Sequence, residues 1–106
     1  MTTFDKREEA FERQFAHDEE LKFKAEARRN RLLGLWAAEK LGISGDAADA
    51  YAKQVVAADF EAAGGGAAHK VTGDLAARGV TIPEAQLRAK MDEFLAQAIA
   101  QVKKGE

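Results

Sequence analysis

The chain has 106 residues with one proline, a formal net charge of -2 and no cysteine. The length suits one domain, and the lack of cysteine excludes a disulfide framework, a thiolate metal site and a cysteine nucleophile. A slightly acidic chain is a poor candidate for holding nucleic acid by its phosphates. Its 23 alanines against 8 leucines, 5 valines and 3 isoleucines predict an all-α protein with a thin core. Neither a membrane span nor a signal peptide is recognisable, so we expect a cytoplasmic protein.

The first 31 residues are densely charged yet neutral, with eight acidic and eight basic side chains. Three phenylalanines interrupt them, at Phe4, Phe11 and Phe15. At about 100° per residue these three fall on one narrow stripe of a helix. Such a stripe cannot form a core alone, so it docks either on this protein's own bundle or on a partner that orders a partly disordered segment. We expect residues 1–16 to be more mobile than the bundle in the free protein.

The first predicted helix begins after Asp18, a suitable N-cap, with Glu19 and Glu20 in its first turn. Its predicted apolar face contains Leu21, Ala25, Leu32, Leu35 and Trp36, with Leu33 and Leu41 at the sides. Gly34 lies inside this helix at a cost of about 1 kcal/mol relative to alanine, which a close helix crossing would explain. Gly42 suits the position just after the helix end.

The second predicted helix runs from Ala47 to Ala62, and either Ser44 or Asp46 can cap it. Its predicted apolar face contains Ala47, Tyr51, Val55, Ala58 and Ala62, with Val56 and Phe60 at the flanks. The following glycines, 64–66, predict a flexible loop. This loop lacks the strand before it and the Lys-Ser/Thr after it that a phosphate-binding loop needs.

The third and fourth predicted helices complete the chain. The third covers Ala67–Arg78, contains Gly73, carries Val71 and Leu75, and ends at Gly79. The fourth begins at residues 81–84, where Thr-Ile-Pro-Glu combines a capping box with a proline in the first turn. Its apolar positions follow helical spacing without a gap: Leu87, Met91, Phe94, Leu95, Ala98, Ile99 and Val102.

These elements predict a small four-helix bundle at residues 18–106, preceded by a charged, flexible or helical N-terminal arm. We call residues 1–17 the arm. Because the connections between the helices are short, neighbouring helices should run antiparallel.

No arrangement of side chains in the sequence predicts catalysis, so we expect a protein that is not an enzyme and holds no metal. His17 and His69 belong to different elements, and neither has the spacing of a metal-ligand pair. Most carboxylates alternate with bases, which is typical of solvated helix faces. Asp46, Asp49 and Asp59 do not have the spacing of a calcium-binding loop.

Arg28, Arg29 and Arg31 form the densest basic patch. They could clamp a phosphate or an acidic partner, or they could pair with Glu26 and nearby acids on the exposed side of the helix. For Arg29 we favour the exposed ion pairs. Arg28 falls on the apolar stripe of its helix, and it is therefore a candidate to cross an interface.

One long stretch of the sequence resembles a known family. Residues 15–38, FAHDEELKFKAEARRNRLLGLWAA, closely resemble the zeta-subunit family of alphaproteobacterial ATP synthases. Shorter matches are MTTFD at the start, GDAADAYA at 45–52, ADFE at 58–61 and RAKM at 88–91. The resemblance covers nearly the whole chain. It departs at residues 62–69, where family members often carry an acidic and aromatic segment.

The resemblance implies a four-helix protein that binds the F1 sector of ATP synthase and blocks ATP hydrolysis. It implies that the arm enters a catalytic interface between the α and β subunits near the γ shaft. The arm residues expected to bind these partners are Phe4, Lys6, Arg7, Phe11, Arg13, Phe15 and His17, and the arginine patch is a candidate second interface.

Other expectations also come from the resemblance. They are a location at the cytoplasmic face of the inner membrane through the ATP synthase, a monomer when free, and a weak site for ATP or ADP that no residue here can be assigned to. The alternative is a helical module without inhibitory activity that binds a protein partner or a nucleotide.

Overall fold

A computed structural model describes residues 19–62 and 65–105, so the arm and the predicted cap at Asp18 lie outside the described residues. The described chain forms four α-helices: α1 (Glu19–Lys40), α2 (Gly45–Glu61), α3 (Gly66–Ala77) and α4 (Glu84–Lys103). The predicted all-α class with four helices is confirmed. None of these helices is long and apolar enough to cross a membrane.

The first helix is the centre of the bundle, because α1 packs against α2, α3 and α4. Near the end of α1, the ring of Trp36 meets the ring of Phe94 in an edge contact. Nearer its start, Arg28 bonds to Gln101, at the other end of α4. Position along α1 therefore increases as position along α4 decreases, so these two helices run antiparallel. For α1 and α2, which are joined by a short connection, Phe23 lies beside Phe60 and Gly34 beside Ala52, which confirms the predicted antiparallel arrangement of neighbours.

The core is built of small and medium side chains. Its largest fully buried members are Leu33, Val55, Val71 and Leu75. Five alanines are entirely without exposed surface: Ala37, Ala38, Ala52, Ala67 and Ala98. A second, smaller cluster joins Ala25 of α1 to Ile99 of α4. Alanine allows helices to approach closely but buries little surface, so the predicted thin core is confirmed.

Gly34 marks the closest approach of α1 and α2. A Cβ atom built on Gly34 would lie 2.6 Å from the Cα of Ala52 and 3.3 Å from the Cβ of Val55. The nearest atom belongs to the backbone of Ala52, which cannot move away by a rotamer change as a side chain can. The close crossing predicted from this glycine is therefore confirmed, and it explains a residue that helix propensity disfavours.

The helix ends at Gly42 and Gly79 also follow the prediction. Gly42 has a φ of 75°, and the amide of Ile43 behind it donates to the carbonyl of Ala38 at 2.8 Å. Gly79, with a φ of 79°, ends α3 by the same pattern. A left-handed residue there satisfies carbonyls of the last turn that lack partners within the helix.

Two predicted apolar faces were partly wrong. On α1, Leu33 is fully buried, whereas Leu32 and Leu35 are only partly buried. The reason is that three helices surround α1, so its deepest line is not the middle of one apolar stripe. On α2, Ala47 in the first turn is exposed, and so is Ala62, which is the C-cap rather than part of the helix.

Predicted helix starts were also partly wrong. The capping box does not form, because α4 begins at Glu84 with Pro83 at the N-cap, so Thr81 lies outside the helix. At the start of α2, Ser44 rather than Asp46 occupies the N-cap, and its side chain makes no cap hydrogen bond.

Gly66 belongs to α3 and not to the predicted loop. A Cβ atom there would clash with the carbonyl of Ala58 on α2. The first turn of α3 therefore lies directly against the backbone of α2, and a glycine serves close approach here rather than flexibility.

A polar cluster joins α2 to α3. The hydroxyl of Tyr51 donates to Oδ2 of Asp74 at 2.8 Å, and Nζ of Lys70 lies 3.1 Å from the same oxygen. Burial of the phenol raises the pKa of Tyr51 well above its usual range, and the hydrogen bond and negative charge of Asp74 raise this pKa further.

We predict that Gly34→Ala lowers the free energy of unfolding by about 1–2 kcal/mol, because the added methyl group forces α1 and α2 apart. Gly73→Ala is the matched control, since a Cβ there meets nothing within 4 Å. It should raise stability by about 0.5–1 kcal/mol through helix propensity. Denaturant unfolding measures both, and equal stabilisation by the two substitutions would contradict the close crossing.

We also predict that Tyr51, the single tyrosine, does not ionise at its usual pKa while the protein is folded. The folded state holds this proton more tightly than the unfolded chain, so its contribution to stability is lost as pH rises above about 10. Phenolate absorbance should therefore appear together with the loss of helical circular dichroism. Ionisation near pH 10 with the helices intact would contradict the burial of the phenol and its hydrogen bond to Asp74.

Candidate functional site

The arm joins the bundle at the N-terminus of α1. All seven arm residues predicted to bind a partner lie outside the described residues, and their roles stay predictions: Phe4, Lys6, Arg7, Phe11, Arg13, Phe15 and His17. The described part of the chain begins at Glu19, the first residue of α1. The first turn of α1 is therefore the point at which the arm is attached to the bundle.

Two exposed aromatic rings lie on the surface of the bundle. The exposed fraction is 57% for Phe23 on α1 and 72% for Phe60 on α2. Their centroids are 6.1 Å apart with the planes at 88°, an edge-to-face pair. Two large apolar side chains that pair with each other in solvent, rather than enter the core, are typical of a binding surface.

The rings border an open groove between α1 and α2 with a volume of about 690 Å³. We call it the aromatic groove. Its apolar lining is Phe23, Ala27, Val56, Ala57 and Phe60, and its charged or polar lining is Lys22, Glu26, Asn30, Lys53 and Asp59. The groove thus combines an apolar strip with charges of both signs at its edges.

Asp59 lines the groove as a buried carboxylate. It is 8% exposed, and its Oδ1 accepts a hydrogen bond from the backbone amide of Ala67 at 3.2 Å. A guanidinium nitrogen of Arg29 lies 3.6 Å from its other oxygen, and Nε of Arg29 donates to Oδ1 of Asn30 at 3.0 Å. The favoured interpretation of Arg29 as an exposed partner of Glu26 was therefore wrong, because Arg29 neutralises a buried acid on another helix.

The sequence analysis assigned neither Asp59 nor Phe23 to a tertiary contact or a site, although the position of each in its helix indicated one. Asp59 follows Val55 by four residues, which places a carboxylate on the predicted buried face of α2. Phe23 lies two residues after Leu21, about 200° around the helix, and so away from the predicted apolar face of α1. A polar residue on a buried face and an aromatic residue on a polar face both predict a tertiary contact or a site.

The other two arginines point to different neighbours. Nη1 of Arg28 donates to Oε1 of Gln101 at 3.3 Å, so this side chain does cross a helix interface, as expected. Arg31 lies 3.9 Å from Asp49, and both side chains are more than half exposed. The arginine patch therefore does not converge on a single point, and its role as a second interface stays a prediction.

The described residues include no group of three or more His, Cys, Asp or Glu that could hold a metal ion. His69 lies exposed on α3.

Comparison with known proteins identifies the family of the chain. The sequence model of the family described as ATPase inhibitor subunit zeta matches residues 1–101. The chain belongs to this zeta family. The match takes in the arm and all lining residues of the aromatic groove.

A solved structure shares the fold of this zeta-family chain. It is a solution NMR structure whose protein is 53% identical to this chain, with a TM-score of 0.68. The alignment covers 81% of this chain and 99% of that chain. No curated protein matches the chain.

We predict that Asp59→Ala lowers the free energy of unfolding by about 2–3 kcal/mol, because it leaves Arg29 and the amide of Ala67 without their acceptor. Asp59→Asn keeps an oxygen for Ala67 and should cost about half as much. Asp49→Ala is the control, since it removes only an exposed pair worth less than about 0.5 kcal/mol. Urea unfolding compares the three, and an equal loss for Asp49→Ala and Asp59→Ala would contradict the structural role of Asp59.

Proposed function

We propose that this chain inhibits ATP hydrolysis by the F1 sector of an ATP synthase. We further propose that its arm does so by inserting at a catalytic interface between the α and β subunits near the γ shaft. The observation that carries this proposal is the zeta-family match, which begins at residue 1 and therefore takes in the arm as well as the bundle.

The architecture of the described residues supports a division between a folding unit and a binding unit. The two core clusters of the described chain are assembled from residues of α1–α4 and the loops between them. The described helices form both clusters among themselves, so the clusters do not depend on the arm's phenylalanines. The aromatic stripe of the arm is thus available to a partner.

The arm has the composition of an inhibitor that works by insertion. A rotary ATPase cycles each catalytic interface between open and closed states, and a helix that fits only one state holds the enzyme in that state. Phe4, Phe11 and Phe15 supply apolar anchors, the kind of side chain that carries much of the energy of an interface. Charges of both signs along the arm find partners on the subunits around it. Inhibition of this kind needs no catalytic group on the inhibitor.

The same proposal gives the chain its location. Binding to the F1 sector places it at the cytoplasmic face of the membrane through the synthase. Binding of ATP or ADP to the bundle remains an expectation from the family without an assigned residue.

We predict that replacing Phe4, Phe11 and Phe15 together with serine weakens inhibition at least about hundredfold. Interface anchors each contribute about 2 kcal/mol, and about 1.4 kcal/mol is a factor of ten. The matched control is Ala10→Ser with Ala16→Ser, which changes two arm residues outside the stripe and should leave inhibition within about twofold. ATP hydrolysis by purified F1, titrated with each variant, is the measurement.

Two results would contradict the proposal at different levels. Equal inhibition by the triple serine variant and the unchanged chain would show that the arm is not the inhibitory element. Unchanged hydrolysis at micromolar concentrations of the unchanged chain would favour the alternative, a helical binding module without inhibitory activity. Capture of the α and β subunits from cell membranes by the tagged chain would then tell whether the synthase is still the partner.

A further inference from the structure

The aromatic groove is an exposed apolar surface that the proposed insertion of the arm does not use. Phe60 alone leaves 72% of its surface in solvent, although the core beside it is fully formed. Exposed aromatic pairs of this kind lower the solubility of a protein unless something covers them for part of the time. A segment of the same chain with matching chemistry is attached one helical turn away.

We propose that, in the free protein, the arm docks into the aromatic groove between α1 and α2. The arm then has to leave the groove before it can bind the ATPase. The inference rests on the proposed function only for its consequence, which is that self-docking of the arm limits inhibition. The docking itself is a property of the chain alone.

The position and length of the arm fit the groove. Phe15 is separated from Glu19, where α1 begins, by residues 16–18, and connections of two to five residues join antiparallel helices in αα-hairpins. From Phe4 to Phe15 a helical arm is about 16 Å long, and the groove follows α1 from Lys22 to Asn30 over about 12 Å. An arm folded back at residues 16–18 therefore lays its phenylalanine stripe along the groove.

The charges beside the stripe fit the rims of the groove. In a helical arm, Glu8 and Glu12 lie about 60° and 100° to one side of Phe11, and Arg7 lies about 40° to the other side. The rim that α2 contributes carries Lys53. The acidic flank of the stripe can therefore face this lysine.

The rim that α1 contributes carries both signs of charge, with Lys22 and Glu26. It can accept the basic flank of the stripe, which carries Arg7. Asp59 adds little net charge to the groove, because Arg29 already pairs with it.

The tether explains why the arm, rather than another protein, occupies the groove in the free chain. A short flexible linker gives the attached segment an effective concentration of about millimolar. Even a groove that binds the arm with millimolar affinity would then be filled about half of the time. Such an arm exchanges on and off, so it is still expected to be more mobile than the bundle.

Docking of the arm would lower the apparent strength of inhibition. Only the undocked fraction is competent to enter the ATPase, so the apparent dissociation constant rises in inverse proportion to that fraction. Occupancies between about half and nine-tenths correspond to a two- to tenfold loss of apparent affinity. A variant with a damaged groove should consequently inhibit more strongly, which is the reverse of the result for a surface that touches the ATPase.

The absence of native cysteine makes the docking directly measurable in the full chain without ATPase. A nitroxide label on the variant Ala10→Cys sits beside the stripe without replacing an anchor. We expect the label to broaden the amide resonances of Ala57 and Phe60. The amide of Arg88 should be unaffected, because the α4 segment around it packs near Trp36, about 20 Å along α1 from Phe23.

The groove variant Phe60→Ser completes the test. Because Phe60 is exposed, its loss leaves the core intact, and circular dichroism checks this. We expect Phe60→Ser to reduce the broadening at Ala57 and to tighten inhibition of F1 about two- to tenfold. Glu93→Ser, at an exposed position on α4, is the control and should change neither readout.

Each of the other outcomes overturns the proposal. Broadening that is absent from Ala57, or equal there and at Arg88, would show that the arm does not dock in the groove. Weaker inhibition by Phe60→Ser would show that the groove binds the ATPase itself. The labelling experiment contains no ATPase, so it decides docking even if the chain proves not to inhibit, and inhibition without broadening would leave the proposed function standing.

Discussion

The close crossing of α1 and α2 at Gly34 is the constraint on which the rest of the bundle depends. Because a backbone atom of Ala52 lies where a side chain of α1 would otherwise be, the side chains fully buried around the crossing are no larger than alanine, valine and leucine. The other two helices then complete this shallow core from outside. The alanine-rich composition and the close helix crossing therefore depend on each other. Short side chains allow the helices to approach closely, and the close approach leaves no space for long side chains.

A core of this kind has little room for large aromatic side chains, and the positions of the phenylalanines reflect it. Of the three that the structure describes, Phe94 is partly buried against Trp36, while Phe23 and Phe60 lie on the surface. The other three are in the arm. Two of the three described phenylalanines therefore lie where the core does not use them, and aromatic side chains are the kind that dominates the energetics of most interfaces. A small protein that acts by binding gains from this arrangement, because its binding groups change without unfolding the scaffold.

The polar contacts have the complementary task of holding the helices in register. The buried carboxylate of Asp59 joins three helices at once through Arg29 and the amide of Ala67, and Tyr51 with Asp74 joins two of them further along. A thin apolar core specifies the register of the helices only weakly, because alanine side chains can shift past one another at little cost in free energy. Hydrogen bonds and ion pairs with defined partners remove that freedom, and they keep Phe23 and Phe60 close enough to form one groove.

Much of this protein was determined by its sequence alone, because the relevant signals are local. The number of helices, the ends at Gly42 and Gly79, the apolar face of α4 and the close crossing at Gly34 depend on spacing and on the conformations open to glycine, which a few neighbouring residues decide. The neutral, phenylalanine-striped character of the arm is equally a property of its own residues. Only the tertiary structure decided that Leu33 rather than Leu32 lies deepest, that Asp59 is buried beside Arg29, and that Phe23 meets Phe60. Those outcomes depend on the angle and register at which helices cross, and no periodicity within one helix specifies how far around its axis the neighbouring helix will lie.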